Sequence, residues 1–126
     1  MNDPVWLPRP IIFVVHDRQI SRHGGTPGVR ERALVEMGAA RPLNLWTYGT
    51  PDLFNLAAGY AFGIAEARGF VDGNKRTALV AALTFLRLNG HAFQPDQVSA
   101  VRMKQGLADD AVPETEFARW LRAQAG

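Results

Sequence analysis

At 126 residues, with 47% hydrophobic and 21% charged residues, the chain is sized for one folded domain (1–126) with its own core. Those values exclude disordered, collagenous and coiled-coil chains, and the absence of cysteine excludes a disulfide framework, a thiolate nucleophile and a Cys-ligated zinc site. The net charge is only +2, and the densest arginine group (Arg18, Arg22, Arg30, Arg32) has no interleaved aromatic residue, which argues against direct nucleic-acid binding.

Three prolines in the first ten residues make residues 1–9 an irregular lead-in. Asp3, Pro8, Arg9 and Pro10 interrupt this start before any apolar run, so no secretory leader is expected and cytoplasmic residence is the default. Ile11 to Val15 form a β-branched run that suits a strand. Pro10 at a first helical position, with a glycine stop at Gly24-Gly25, suits a helix equally well. Gly24 to Gly28 read as a loop, Val29 to Ala40 as a short helix, and Arg41 to Gly49 as an aperiodic connecting loop that carries Trp46 and Tyr48.

Thr50 offers an N-cap hydroxyl, Pro51 a first helical position and Asp52 a charge for the dipole of the next helix. Leu53, Leu56, Ala57, Tyr60, Ala61 and Ile64 give that helix one apolar face, ending near Ala67. Leu53 to Ala65 is the longest apolar-rich stretch, contains Asn55 and is too short to span a bilayer, so no membrane association is expected. Asn74 to Leu88 is apolar almost all round beyond its first turn, which predicts a helix in the centre of a bundle, with Asn89-Gly90 as its stop. Helices from Asp96 to about Ala108 and from Pro113 to Ala123 complete the chain, the latter burying Phe117, Trp120 and Leu121. The fold class is all-α: a compact single-domain helical bundle around a buried central helix, with room for one small hairpin or strand.

Chemistry concentrates in Arg68-Gly69-Phe70-Val71-Asp72-Gly73-Asn74-Lys75-Arg76, a loop that delivers polar groups to the start of an apolar helix. The free N–H groups there, the positive dipole end, Lys75 and Arg76 together suit phosphate, and Gly73 permits close approach of the backbone. Asp72 suits Mg²⁺, which takes one or two carboxylates with phosphate oxygens and water, and Phe70 suits an anchor in the core. Equally, Asp72-Gly73-Asn74 could be a simple capping turn with Lys75 and Arg76 as surface residues. Two cations at the positive end of a helix are electrostatically misplaced unless an anion lies between them. No P-loop or dinucleotide-fold glycine pattern occurs.

The segment RGFVDGNKR resembles the motif HxFx[ND][AG]NKR of the death-on-curing (Doc) toxins within the wider Fic superfamily. The likeness extends through HDRQISRHGGTPGVRERALVEMGAARP, YGTPDLFNLAAGYAFGIA and TALVAALTFLRLNG, most of residues 10–93. It implies a compact helical fold and favours helix over strand for Ile11 to Arg22. It also implies ATP and Mg²⁺ as cofactors and transfer of phosphate to a hydroxyl of translation elongation factor Tu. By position, Asp72 is similar to the family's metal ligand, Gly73 and Asn74 to its anion-hole wall, and Lys75 and Arg76 to its phosphate grips. Fic members transfer adenylyl groups; they usually carry glycine at the position of Lys75 and a further arginine at that of Leu79, so both differences favour phosphoryl transfer.

Arg68 stands where the family has its catalytic histidine. A guanidinium cannot accept the proton of a target hydroxyl, so the resemblance implies an impaired enzyme, or a non-catalytic binding module on the same fold. His16, His23 and His91 are not expected to substitute. Fic proteins that inhibit themselves carry [ST]xxxE[GN], and no glutamate here precedes glycine or asparagine. The resemblance instead implies a Phd-type antitoxin whose disordered segment folds into a groove. Trp46, Tyr48 and the Ile11 to Ile20 region are candidates for that groove, and core packing explains each equally well.

Overall fold

Between Leu56 and Ala65 one helix is buried on every side, because alanine or glycine fills six of those ten positions and lets neighbouring helices approach its backbone. The computed structural model describes residues 3–49, 51–107, 109 and 111–126. Seven helices occur among them: α1 (Arg9–His23), α2 (Arg32–Ala39), α3 (Arg41–Tyr48), α4 (Leu53–Ala67), α5 (Asn74–Leu88), α6 (Gln97–Gln105) and α7 (Glu114–Gln124). The architecture is the expected all-helical bundle. An isolated antiparallel bridge between Val29 and Phe70 is the only β pairing among the described residues. None of the helices is long and apolar enough to cross a membrane.

α4 packs against α2, α3, α5 and α7, while α5 packs against α4, α1 and α6. The all-round burial expected of residues 74–88 therefore falls on α4. α5 buries Thr77, Ala78, Ala81, Ala82, Phe85 and Leu86, but Leu79, Val80, Leu83 and Thr84 are only half covered and Leu88 is exposed. Where α2 crosses α4 the contact is glycine on glycine. A Cβ on Gly63 would lie 2.0 Å from the carbonyl oxygen of Gly38, and one on Gly38 would lie 2.3 Å from that of Gly63. Backbone cannot yield as a side-chain tip can, so Gly63→Ala should destabilise the protein by about 1–3 kcal/mol, read as a lower urea midpoint. An unchanged midpoint would count against this crossing.

Several boundaries differ from the sequence expectations. Ile11 to Val15 lie within α1, whose proline stands in the first turn and whose stop is Gly24 at φ 82°. α2 begins at Arg32 rather than Val29, because Val29 pairs with Phe70 and the N–H groups of Arg30 and Glu31 both donate to Gly69 O. The connecting loop expected over Arg41 to Gly49 is α3. Pro42 sits in its first turn, where no N–H is needed, and Leu45 and Trp46 pack on the core, Trp46 edge-on to Trp6. Local periodicity missed it because Ala40 alone separates α2 from α3.

Thr50 lies outside the described residues. The N-cap of α4 is Asp52, which accepts from Asn55 N while Asn55 Oδ1 accepts from Asp52 N, so Pro51 precedes the helix instead of opening it. Arg122 on α7 also pairs with Asp52. α6 begins one residue after its cap Asp96, which accepts from Ser99 N, and it ends at Gln105. α7 runs one residue later than expected at each end; it buries Phe117 and Leu121, and the half-buried Trp120 donates through Nε1 to Ser99 Oγ.

Candidate functional site

The loop between α4 and α5 is shaped by two left-handed residues. Arg68 closes α4 at φ 51°, ψ 41°, and Gly73 opens α5 at φ 76°, ψ 18°. Arg68 is the one non-glycine residue with positive φ among those described, a conformation that costs an arginine roughly 1 kcal/mol. Arg30 offsets the cost: its Nε and Nη2 both donate to Arg68 O, at 2.9 and 2.7 Å. Val71 N donates to Gly28 O, so residues 28–31 run beside residues 69–71 as a short brace.

Phe70 is buried, as expected of the loop's anchor, and Asn74 holds it from the next helix. Asn74 Oδ1 accepts from Phe70 N and its Nδ2 donates to Phe70 O, both at 3.0 Å. With its carboxamide engaged there, Asn74 offers a ligand chiefly its main-chain N–H. The first intrahelical bond of α5 runs from Thr77 N to Gly73 O, which leaves the N–H groups of Asn74, Lys75 and Arg76 without partners in the helix.

These residues share one cavity of about 390 Å³, within the usual range of small-ligand sites. Arg68, Asp72, Gly73, Asn74, Lys75 and Arg76 line it, together with Ala65, Val71, Lys104 and Asp109. Every site residue singled out from the sequence is thus brought to a single concavity. Lys104 from α6 and Asp109 from the segment after it were not foreseen, since nothing local marks them and only the packing of α6 on α5 carries them there. Among the described residues of the lining, four cations face two carboxylates, a net-positive set that suits an anion. Lys75 Nζ lies 3.3 Å from Gln105 O and 3.7 Å from Asp109 Oδ2, and Arg76 Nη1 lies 3.4 Å from Gly24 O.

Asp72 accepts two backbone hydrogen bonds, from Thr26 N at 3.0 Å and from Gly73 N at 2.8 Å. These bonds, with the charge of Arg76 adding, hold its carboxyl below the ordinary aspartate value of 3.8, so it is ionised at neutral pH. A carboxylate that accepts two N–H bonds keeps lone pairs for a cation. No cluster of three His, Asp or Glu side chains suited to a metal occurs among the described residues. The lone pairs left on the Asp72 carboxylate are of the kind a Mg²⁺ takes alongside phosphate oxygens and water.

The histidines lie apart from this lining. His16 is buried beneath the turn and His91 packs on Phe54. Of the residues considered for a partner groove, Trp46 is half-buried in the core, Tyr48 is exposed, and Ile12, Val15, His16 and Gln19 of α1 point inward. A wider depression of about 820 Å³, with Met37, Leu45, Tyr48 and Pro51 on its walls, lies between α3, α4 and α7, away from the motif.

The model of the Fic/DOC family matches residues 6–86, which contain α1 to α4, the loop and nearly all of α5. The chain belongs to the Fic/DOC family. It is similar to "Protein kinase doc" of Escherichia phage P1, at 41% identity over 80 residues, 63% of this chain and 64% of the relative. It is also similar to "Toxin Doc" of Mycolicibacterium smegmatis (strain ATCC 700084 / mc(2)155), at 43% over 70 residues, 53% of each. The chain thus spans less than two thirds of the length of either relative. Lys104 and Asp109 lie beyond the family match, so the α6 side of the cavity comes from a part of the chain that the family model does not describe.

Proposed function

We propose that the chain is a Doc-type toxin whose cavity at the start of α5 binds ATP with Mg²⁺ and whose family reaction is phosphate transfer to a hydroxyl of elongation factor Tu. The observation that carries the reading is the gathering of Asp72, Lys75, Arg76 and the free N–H groups of α5 around one net-positive cavity. In it, Asp72 holds the metal, Lys75 and Arg76 grip phosphate oxygens, and the N–H groups of Asn74 to Arg76 take further oxygens at the positive helix end. When bound, Mg²⁺ supplies neutralisation of phosphate charge. Gly73 takes the left-handed turn that opens α5, and Arg30 and Asn74 keep the loop from yielding when the anion arrives.

Arg68 is the missing piece. It lines the cavity and adds attraction for phosphate, but it accepts no proton, so binding survives while transfer is impaired. The likeness to Doc toxins supports an antitoxin as partner, which we read as of the Phd type and the setting as cytoplasmic. Calorimetry tests the binding: ATP should bind more tightly with Mg²⁺ than with EDTA, and equal affinities would refute the metal assignment. Arg68 also favours a second reading, a module that sequesters nucleotide or protein without chemistry. ATP labelled at the γ- or the α-phosphate, offered to the elongation factor, separates the cases: γ-label on the target supports phosphoryl transfer, α-label adenylyl transfer, and neither label, even with histidine at position 68, supports the binding module.

A further inference from the structure

His16 is 1% exposed, yet it is not simply filler between helices. Its Nε2 lies 2.8 Å from Asp72 O, and a carbonyl only accepts, so the ring carries its proton on Nε2 and donates. Its plane stacks on Phe70 at 3.8 Å and 8°, and Phe13 of the same helix meets Phe70 edge-on at 5.7 Å. The stack on Phe70 fixes the plane of the ring, and the Asp72 carbonyl fixes a proton on Nε2.

We infer that His16 is a positioning residue for the metal-binding turn: through the Asp72 carbonyl it fixes the peptide from which the Asp72 carboxylate is aimed. This rests on the reading of Asp72 as a ligand of nucleotide-bound Mg²⁺. The left-handed Gly73 turns the Asp72 carbonyl away from α5, whose first intrahelical acceptor is Gly73 O. His16 supplies the donor that the helix does not. On the other side of the same residue, Thr26 N and Gly73 N hold the two carboxylate oxygens. Asp72 is thus tied at main chain and side chain by separate elements, and releasing the main-chain tie frees its peptide to rotate.

α1 is fitted to the turn on this face. A Cβ on Gly73 would lie 3.2 Å from Ile20 Cδ1 and 3.7 Å from the His16 ring, so the glycine sits directly over these two side chains. A histidine that merely filled space would be replaceable by phenylalanine, which keeps the stack on Phe70 and most of the volume. One that positions Asp72 would not.

Calorimetry of the full chain with ATP, in Mg²⁺ and in EDTA, decides. His16→Phe should cut the Mg²⁺-dependent gain in ATP affinity by about tenfold or more while leaving the affinity in EDTA nearly unchanged, since supporting contacts of a metal ligand carry about 10–100-fold in metal affinity. His16→Gln, which keeps an N–H donor, should restore most of the gain. A His16→Phe protein with the full Mg²⁺ gain, whatever its melting temperature, would overturn the assignment. If that variant does not fold, imidazole ¹⁵N shifts of the unmodified protein serve: the Nε2–H tautomer should hold with and without ATP and Mg²⁺, and an Nδ1–H tautomer would overturn it. Failure of the underlying reading is seen separately, since the unmodified chain would then gain no affinity from Mg²⁺, and the role of His16 would fall with it.

Discussion

Replacement of Arg68 by histidine should raise phosphate transfer from ATP to elongation factor Tu by about 10²–10⁴-fold, the usual contribution of a positioned general base. The backbone is ready for the exchange. Residue 68 is left-handed, a conformation in which histidine is found more readily than arginine, and the Arg30 fork grips the carbonyl of residue 68 whatever its side chain. The cavity loses one of its four cations, so ATP affinity should fall modestly while transfer rises. This opposition separates a gained base from tighter binding. Arg68→Ala is the control: it makes the same room without a proton acceptor and should transfer no faster than the unaltered chain. Equal rates for the alanine and histidine variants, measured with γ-labelled ATP, would show that relief of obstruction and not proton transfer limits the reaction.

Asp72→Asn should abolish most of the Mg²⁺-dependent gain in ATP affinity, by about tenfold or more, yet leave binding in EDTA unchanged or stronger. The two signs follow from one charge. On the proposed reading the carboxylate is a ligand when Mg²⁺ is present; without the metal, the same negative charge would repel a triphosphate in a cavity lined mainly by cations. A variant that lost affinity equally in both conditions would mean that the turn had collapsed. The titration of Asp72 is fixed in direction by its surroundings. The N–H groups of Thr26 and Gly73 favour the ionised form and depress the folded value below 3.8. The stability it contributes is therefore present above the ordinary aspartate value and is lost as pH falls through the lower folded one. A carboxyl-carbon NMR titration should place the midpoint under 3.8, and a midpoint at or above it would contradict these bonds.

Much of the site was readable along the chain because it is local. Gly73, Asn74, Lys75 and Arg76 are consecutive, the helix they open is marked by its own apolar run, and two cations at its positive end are a conflict that an anion resolves. The supports were not readable. His16 lies 56 residues from Asp72, Thr26 lies 46 away and Arg30 lies 38 from Arg68, and each interaction uses a main-chain atom that every residue type possesses. A bond to a carbonyl or an N–H leaves no signature at its far end.

The helices divide along the same line. Caps and breakers act within a turn, so the start of α5 at Asn74 and its stop at Asn89 were settled by neighbouring residues alone. Choices that balance one local tendency against another were left to packing. The β-branched start of α1 became helix because Ile12, Val15 and His16 face the core there, α3 formed because Leu45 and Trp46 find partners beside Trp6, and α4 rather than α5 became the enclosed helix because glycine meets glycine where α2 crosses it. Burial and close approach belong to pairs of elements, and their energies exist only once the chain has brought both partners together.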